Sequence, residues 1–221
     1  MRILPAATLL LALPLAAQPP ANLAASMQDI SKALGVSCNY CHSAERGSGL
    51  PEPKKDIARA MIAMTHDLNA KVAAATGKAA AETVRVECVT CHRGVAIPRP
   101  ISDIVTQTLR EKGIAEAAAQ YRDLHAHYYG RQAYDFGDEP LVGVAQRIAD
   151  ARPDDAIALL QLNLEFLPKS ARSYVALAYA FTRKIDDFSA MAALEKALEI
   201  EPENSIARGQ LEQLKSYHRK R

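Results

Sequence analysis

The sequence predicts an all-α protein in two parts, and three observations carry that prediction. In the N-terminal half, apolar residues recur three and four apart: Met27, Ile30 and Leu34 in one run, Ile57, Met61, Met64 and Leu68 in another. That is the period of a helix with one apolar face. Alanine is abundant, Trp is absent and aromatics make up only 5% of the chain, a composition suited to helices in close contact. Further on, the pattern repeats at an interval of 34 residues, the separation of Pro168 and Pro202. The same shift lays Ala156 on Ala190, Leu160 on Leu194, Leu164 on Leu198, Glu165 on Glu199 and Leu177 on Leu211.

Taken in order, the chain opens on a targeting pattern. Arg2 supplies a positive charge, residues 3–15 are apolar, and Ala16-Ala17 offer small residues for cleavage. The run is shorter than the roughly 20 apolar residues of a membrane span, and Pro5 and Pro14 interrupt it. A signal peptide over 1–17 is therefore expected, and a periplasmic or otherwise extracytoplasmic mature chain. An uncleaved segment that keeps the protein at the membrane is the alternative. The length of 221 residues favours two domains. The net charge of +2 gives no electrostatic case for nucleic acid. The one basic cluster, His218-Arg219-Lys220-Arg221, reads as a frayed, solvated tail.

The four cysteines, Cys38, Cys41, Cys88 and Cys91, carry the chemistry. In an exported chain two disulfides are one reading. A zinc site is another, but 46 residues separate Cys41 from Cys88, whereas zinc ribbons space their pairs about 15 to 20 apart. The residue after each second cysteine decides between them. Cys38-Asn39-Tyr40-Cys41-His42 and Cys88-Val89-Thr90-Cys91-His92 both fit Cys-x-x-Cys-His, the attachment signal of c-type haem. Two thiols three residues apart match the two vinyl groups with which they form thioethers, and the adjacent imidazole lies beneath the iron as its axial ligand. Two such motifs consume every cysteine and imply two covalently bound haem c groups.

Each iron then needs a sixth ligand, or it stays open to small molecules. After the initiator, the methionines are Met27, Met61, Met64 and Met191. Met27 begins a short helix that Gly35 stops. A second helix, over about 54–71, follows the loop at Pro51 to Pro53 and carries Met61 and Met64 on one face. Methionine is more often core filler than ligand, and periodicity alone does not separate Met61 from Met64. His66 lies on a different face from Met61.

Several runs resemble the haem-binding repeat of the cytochrome subunit of photosynthetic reaction centres. They are Met27-x-x-Ile30-Ser31-x-x-Leu34-Gly35-Val36-x-Cys38-x-Tyr40-Cys41-His42; Pro53-Lys54-Lys55-x-Ile57-Ala58-Arg59-x-Met61-x-x-Met64-Thr65 with Leu68-Asn69; and Val86-x-Cys88-x-Thr90-Cys91-His92-Arg93-Gly94 with Pro98. That subunit binds four haems as two tandem pairs, and this chain resembles one pair over residues 27–98. In the family, the helix before each attachment site supplies a methionine. The resemblance therefore implies Met27 as distal ligand of the first haem and Met61, rather than Met64, as that of the second. Two departures stand out. Residues 71–87 hold no histidine, whereas the four-haem protein can send one from there to the other pair. The rest of the chain looks unlike that subunit, so a photosynthetic role is not implied.

Ala96-Ile97-Pro98-Arg99-Pro100 punctuates the chain. The expected organisation is a dihaem domain over 18–98, a linker over 99–104 and a helical domain over 105–221. The 34-residue period of that domain is similar to the tetratricopeptide repeat. One unit is clear over about 170–202, half-units flank it, and residues 105–130 add a packing helix. The aromatics of the turn from Tyr128 to Phe136 are read as anchoring a loop onto the repeat.

Two haems with His and Met on each iron are coordinatively saturated, which points to electron transfer. The expected partner is a redox protein or a membrane electron-transfer complex docked through the repeats. The alternatives are a dihaem peroxidase-type enzyme with one open haem, or a haem-bearing scaffold or sensor.

Overall fold

The computed structural model of the chain describes residues 23–42 and 53–219. The signal peptide expected over 1–17 lies outside the described residues, as do Pro51, Lys220 and Arg221. Among the described residues all regular structure is helical, as predicted.

Helix α1 (Leu23–Leu34) is closed by Gly35 at φ +65°. The Gly35 and Val36 amides donate back to the Lys32 and Ser31 carbonyls at 3.2 and 3.1 Å, a two-bond closure that needs a left-handed residue at the turn. The first Cys-x-x-Cys-His follows at once as a short 3-10 turn at Cys38–Tyr40. Helix α2 (Pro53–Thr76) opens on a proline, which suits a first-turn position. It runs five residues beyond the expected end at Lys71, because the alanines there favour helix until Gly77 turns the chain at φ +63°. After a second 3-10 turn (Ala80–Glu82), α3 (Cys88–His92) is a single turn holding the second attachment motif.

The other seven helices form an antiparallel stack: α4 (Ile101–Lys112), α5 (Ile114–Tyr128), α6 (Glu139–Ile148), α7 (Pro153–Phe166), α8 (Ala171–Arg183), α9 (Asp187–Ile200) and α10 (Ser205–Arg219). Where one packing helix was expected over 105–130, two stand, because Gly113 at φ +89° breaks the run into the α4–α5 hairpin. Helix α4 begins at Ile101, inside the stretch read as a linker, and buries Ile101, Val105 and Leu109. The 34-residue interval reappears in the helix starts. Pro153 and Asp187 open α7 and α9 at that separation, as Ala171 and Ser205 open α8 and α10. Each hairpin buries small residues in the same places, Ala156 and Ala190 among them, where helices approach closely.

The contiguous apolar core lies between Ile101 and Leu211, within α4–α10 and the turn that joins α5 to α6. A buried polar seam crosses it. Asn163 on α7 donates to the Ser173 hydroxyl at 2.9 Å, and Ser170 caps α8 by accepting from the Ser173 amide at 3.1 Å while bonding Asp138 at 3.0 Å. The aromatics of the α5–α6 turn are anchored as expected. Phe136 is buried against Tyr121, with ring centroids 5.8 Å apart, and His125 packs 4.1 Å from Phe166 of α7. Of the basic cluster read as a frayed tail, His218 and Arg219 lie within α10, and His218 Nε2 is 2.9 Å from an Asp187 carboxylate oxygen. A paired, half-buried imidazole holds that end to α9.

Candidate haem-attachment site

The two motifs fold locally as their spacing requires. In the first, the Cys38 carbonyl accepts from the Cys41 and His42 amides at 3.3 and 3.0 Å, which closes one turn and puts the two thiols on one side of it. In the second, the Glu87 amide donates to the Thr90 hydroxyl at 3.0 Å, capping the start of α3. Arg93 then turns left-handed at φ +48° and ends the helix. All four thiols are free, with Cys38 and Cys91 exposed. Disulfides, the first alternative for these cysteines, are not formed. Among the described residues no group of three or more His, Cys, Asp or Glu is placed to hold a metal ion, so the two pairs do not converge on a shared zinc position.

His92 is the most constrained of the candidate residues. It is buried, and its Nδ1 lies 3.0 Å from the Val95 carbonyl. A carbonyl only accepts, so Nδ1 carries the proton and Nε2 keeps a free lone pair. This is the tautomer and orientation that metal-ligating histidines take from a partner of this kind. Val95 is itself buried, and its amide returns a bond to the His92 carbonyl at 2.9 Å.

Helix α1 packs on α3, so the helix that precedes the first motif supports the second. The seam is very close. The Gly94 amide donates to the Ala33 carbonyl at 2.8 Å, and a Cβ on Gly35 would stand 2.0 Å from the Gly94 carbonyl oxygen. Only glycine fits there.

The Asn69 side chain ties helix α2 to the second motif. Asn69 Nδ2 donates to the Val86 carbonyl at 2.9 Å, and the Val86 amide donates back to Asn69 Oδ1 at 2.8 Å. Nδ2 also reaches the Thr65 carbonyl at 3.0 Å. Along this helix Ile57, Met61, Met64 and Leu68 remain exposed, from 36% at Met61 to 63% at Ile57, and Met27 on α1 is exposed too. These methionines therefore do not fill a core made by the protein alone. An apolar stripe left open along a 24-residue helix fits a large flat apolar group with room for a thioether donor. Together with thiols paired on a turn and a preset imidazole, the donor set suits a c-type haem.

The sequence offered the cysteines, both histidines and the methionines as candidates, but not the Asn69–Val86 clamp, the Gly35–Gly94 approach or the His92–Val95 bond. Only the clamp had left a trace, as an asparagine in mid-helix, where its propensity is poor. A cleft of about 490 Å³ lies beside α3, where Cys91 and Arg93 face Tyr134 and Arg147 of the helical stack. No described helix is long and apolar enough to cross a membrane.

Residues 51–136 match the family model described as the photosynthetic reaction centre cytochrome C subunit. The matched stretch contains Met61, Met64 and the whole second motif and begins after the first. It also passes Pro98 into α4 and α5, which corrects the expectation that everything beyond residue 98 is unlike that subunit. Those helices carry no motif residue, only a diffuse apolar pattern, so reading motifs could not find them. No curated protein matches the chain. The match supports a c-type cytochrome with covalently bound haem c, working in electron transfer with redox partners.

Proposed function

Starting from the kinship of residues 51–136 with the reaction centre cytochrome subunit, we propose that this protein is an exported dihaem electron carrier. Cys38 and Cys41 attach one haem above His42, and Cys88 and Cys91 attach the other above His92. Met27 and Met61 are the sixth ligands, and the C-terminal helical stack docks a redox partner or a membrane electron-transfer complex. The observation that carries the reading is His92. It is buried beside two free thiols, with Nδ1–H committed to the Val95 carbonyl and Nε2 left to bind.

When bound, such a haem supplies an iron that gains and loses one electron. The chain's own residues shape that exchange. His92 holds its lone pair in a fixed direction because the Val95 carbonyl sets both tautomer and ring angle. The thioether sulfur of a methionine favours the ferrous state and raises the potential. Were a histidine and a methionine both to hold each iron, no coordination position would be left for a substrate, which favours electron transfer over catalysis at the iron. Covalent attachment keeps the group in a dilute, oxidising compartment.

The test is a pyridine haemochrome count and an intact mass on protein exported from a strain competent for cytochrome maturation. Two haems per chain and low-spin spectra in both redox states are expected, and Met61→Ala should turn one haem mixed or high spin. A colourless product, a single haem, or an unmutated protein with a high-spin haem that binds cyanide readily would overturn the proposal, the last in favour of a peroxidase-type enzyme.

A further inference from the structure

The structure assigns to Asn69 the role of a positioning residue: its paired hydrogen bonds to Val86 set the register of α2 against the second attachment helix, and so decide which α2 methionine meets the second iron. The inference rests on the reading that a methionine of α2 ligates that haem. Asn69 uses both ends of its amide on one residue, at 2.8 and 2.9 Å, and Val86 stands two residues before Cys88. The contact joins positions 17 apart in sequence. Among the described elements α2 also packs on the Ala80–Glu82 turn, and at its start Lys54 Nζ lies 3.9 Å from the centroid of the Tyr40 ring. The Asn69 pair is thus a direct, two-point tie between the middle of α2 and the segment that leads into α3.

Helical geometry shows what that rotation controls. At 100° per residue, Met61 lies about 80° around the helix from Asn69, and Leu68, Ile57 and Met64 follow on the same side at about 100°, 120° and 140°. Met61 is also about 12 Å along the axis from the clamp, and Met64 about 7.5 Å. The two methionines differ by about 60° of rotation and less than one helical turn. A small roll or slide of α2 would exchange them. With the clamp in place, the methionine nearest in azimuth to the anchored segment is Met61, the less exposed of the two. Both lie on the same apolar stripe and differ little in exposure, so the discrimination falls to the polar side chain beside it.

The experiment uses the full two-haem protein and reads the far-red methionine-to-iron charge-transfer band of the ferric form. It also reads the ring-current-shifted methionine methyl resonances of the ferrous form. Asn69→Ala should retain two covalent haems and the helical circular dichroism. It should nevertheless lose the second haem's share of the band or split its methyl signal in two. Met64→Ala should be silent in the native background, yet change the spectrum once Asn69→Ala is present. Asn69→Asp keeps the acceptor for the Val86 amide but sets an oxygen against the Val86 carbonyl, so it should fall between. This milder variant supplies the reading if Asn69→Ala fails to accumulate.

Met61→Ala separates the two ideas. Loss of the band in Met61→Ala with a native spectrum in both Asn69 variants sinks the clamp and spares the ligand. A native spectrum in Met61→Ala with a disturbed one in Asn69→Ala upholds the clamp and names Met64 as ligand. Native spectra throughout overturn both.

Discussion

Replacing Gly35 by alanine tests the seam that joins the two attachment motifs. The added Cβ would lie 2.0 Å from the Gly94 carbonyl oxygen, 2.8 Å from its carbon and 3.3 Å from its Cα. All three atoms are backbone, so none can swing aside. An ordinary carbon–oxygen contact is about 3.3–3.6 Å, so α1 and α3 must part by more than about 1 Å. The Gly94 amide, now 2.8 Å from the Ala33 carbonyl, is then carried beyond hydrogen-bonding range, at a cost of about 1 kcal/mol. The left-handed backbone at Gly35, φ +65°, adds about 1–2 kcal/mol for any residue with a Cβ. The expected destabilisation is about 2–3 kcal/mol, plus whatever is lost as Ala33 and Val95 become wet. Gly77 provides the control: its φ is +63° and nothing lies within 4 Å of its Cβ position, so Gly77→Ala carries only the backbone cost. Guanidinium unfolding followed by haem absorbance, with native-state hydrogen exchange at the Gly94 amide, measures both. Gly35→Ala should exceed Gly77→Ala by at least about 1 kcal/mol and lower protection at Gly94 by roughly fivefold or more. Equal effects in the two variants would show that the close approach of α1 and α3 is not a feature of the folded protein.

Two further outcomes concern the helical stack. Tyr121 is fully buried and its hydroxyl has no hydrogen-bond partner among the described residues. Burial, with the charge of Asp135 behind it, pushes its pKa up to about 12. The folded value lies above the unfolded one of about 10. Its contribution to stability is therefore complete below pH about 10 and drains away as pH rises towards 12. Tyr121→Phe should change stability at pH 7 by less than about 1 kcal/mol and reduce the alkaline loss, as read by thermal melts across that range. At the surface, Arg122 grips Glu165 with two bonds of 2.7 and 3.0 Å, and this hydrogen bond to Arg122 holds the Glu165 carboxyl below the usual carboxylate value. That contribution is present above pH about 4.3 and lost as pH falls through the lower folded value. Both side chains are about half exposed, so Glu165→Gln should cost at most about 1 kcal/mol at pH 7. The gap between mutant and wild-type melts should narrow in high salt and close in acid.

Much of this molecule follows from local sequence alone, and the reason is that the signals are local. A Cys-x-x-Cys-His pentapeptide is one turn of chain, so its chemistry can be read without knowing what surrounds it. The apolar stripes of α1 and α2, the stop at Gly35 and the 34-residue spacing from α7 to α9 likewise lie within single helices or one repeat. Position along the chain was less well determined. Alanines after Lys71 carry α2 on to Thr76, and Gly113 divides one expected helix into two, because helix ends depend on a few tenths of a kcal/mol per residue.

What only the tertiary structure decided are relations between distant segments. Asn69 meets Val86, Gly35 meets Gly94 and Tyr121 meets Phe136 because helices and the turns beside them pack against segments separated in sequence. No periodicity within a helix encodes the partner of its neighbour's face. His92 illustrates the division. Its place after Cys91 marks it as a candidate ligand from sequence, but the carbonyl that Nδ1 meets becomes visible only when the turn after α3 is folded back onto the ring.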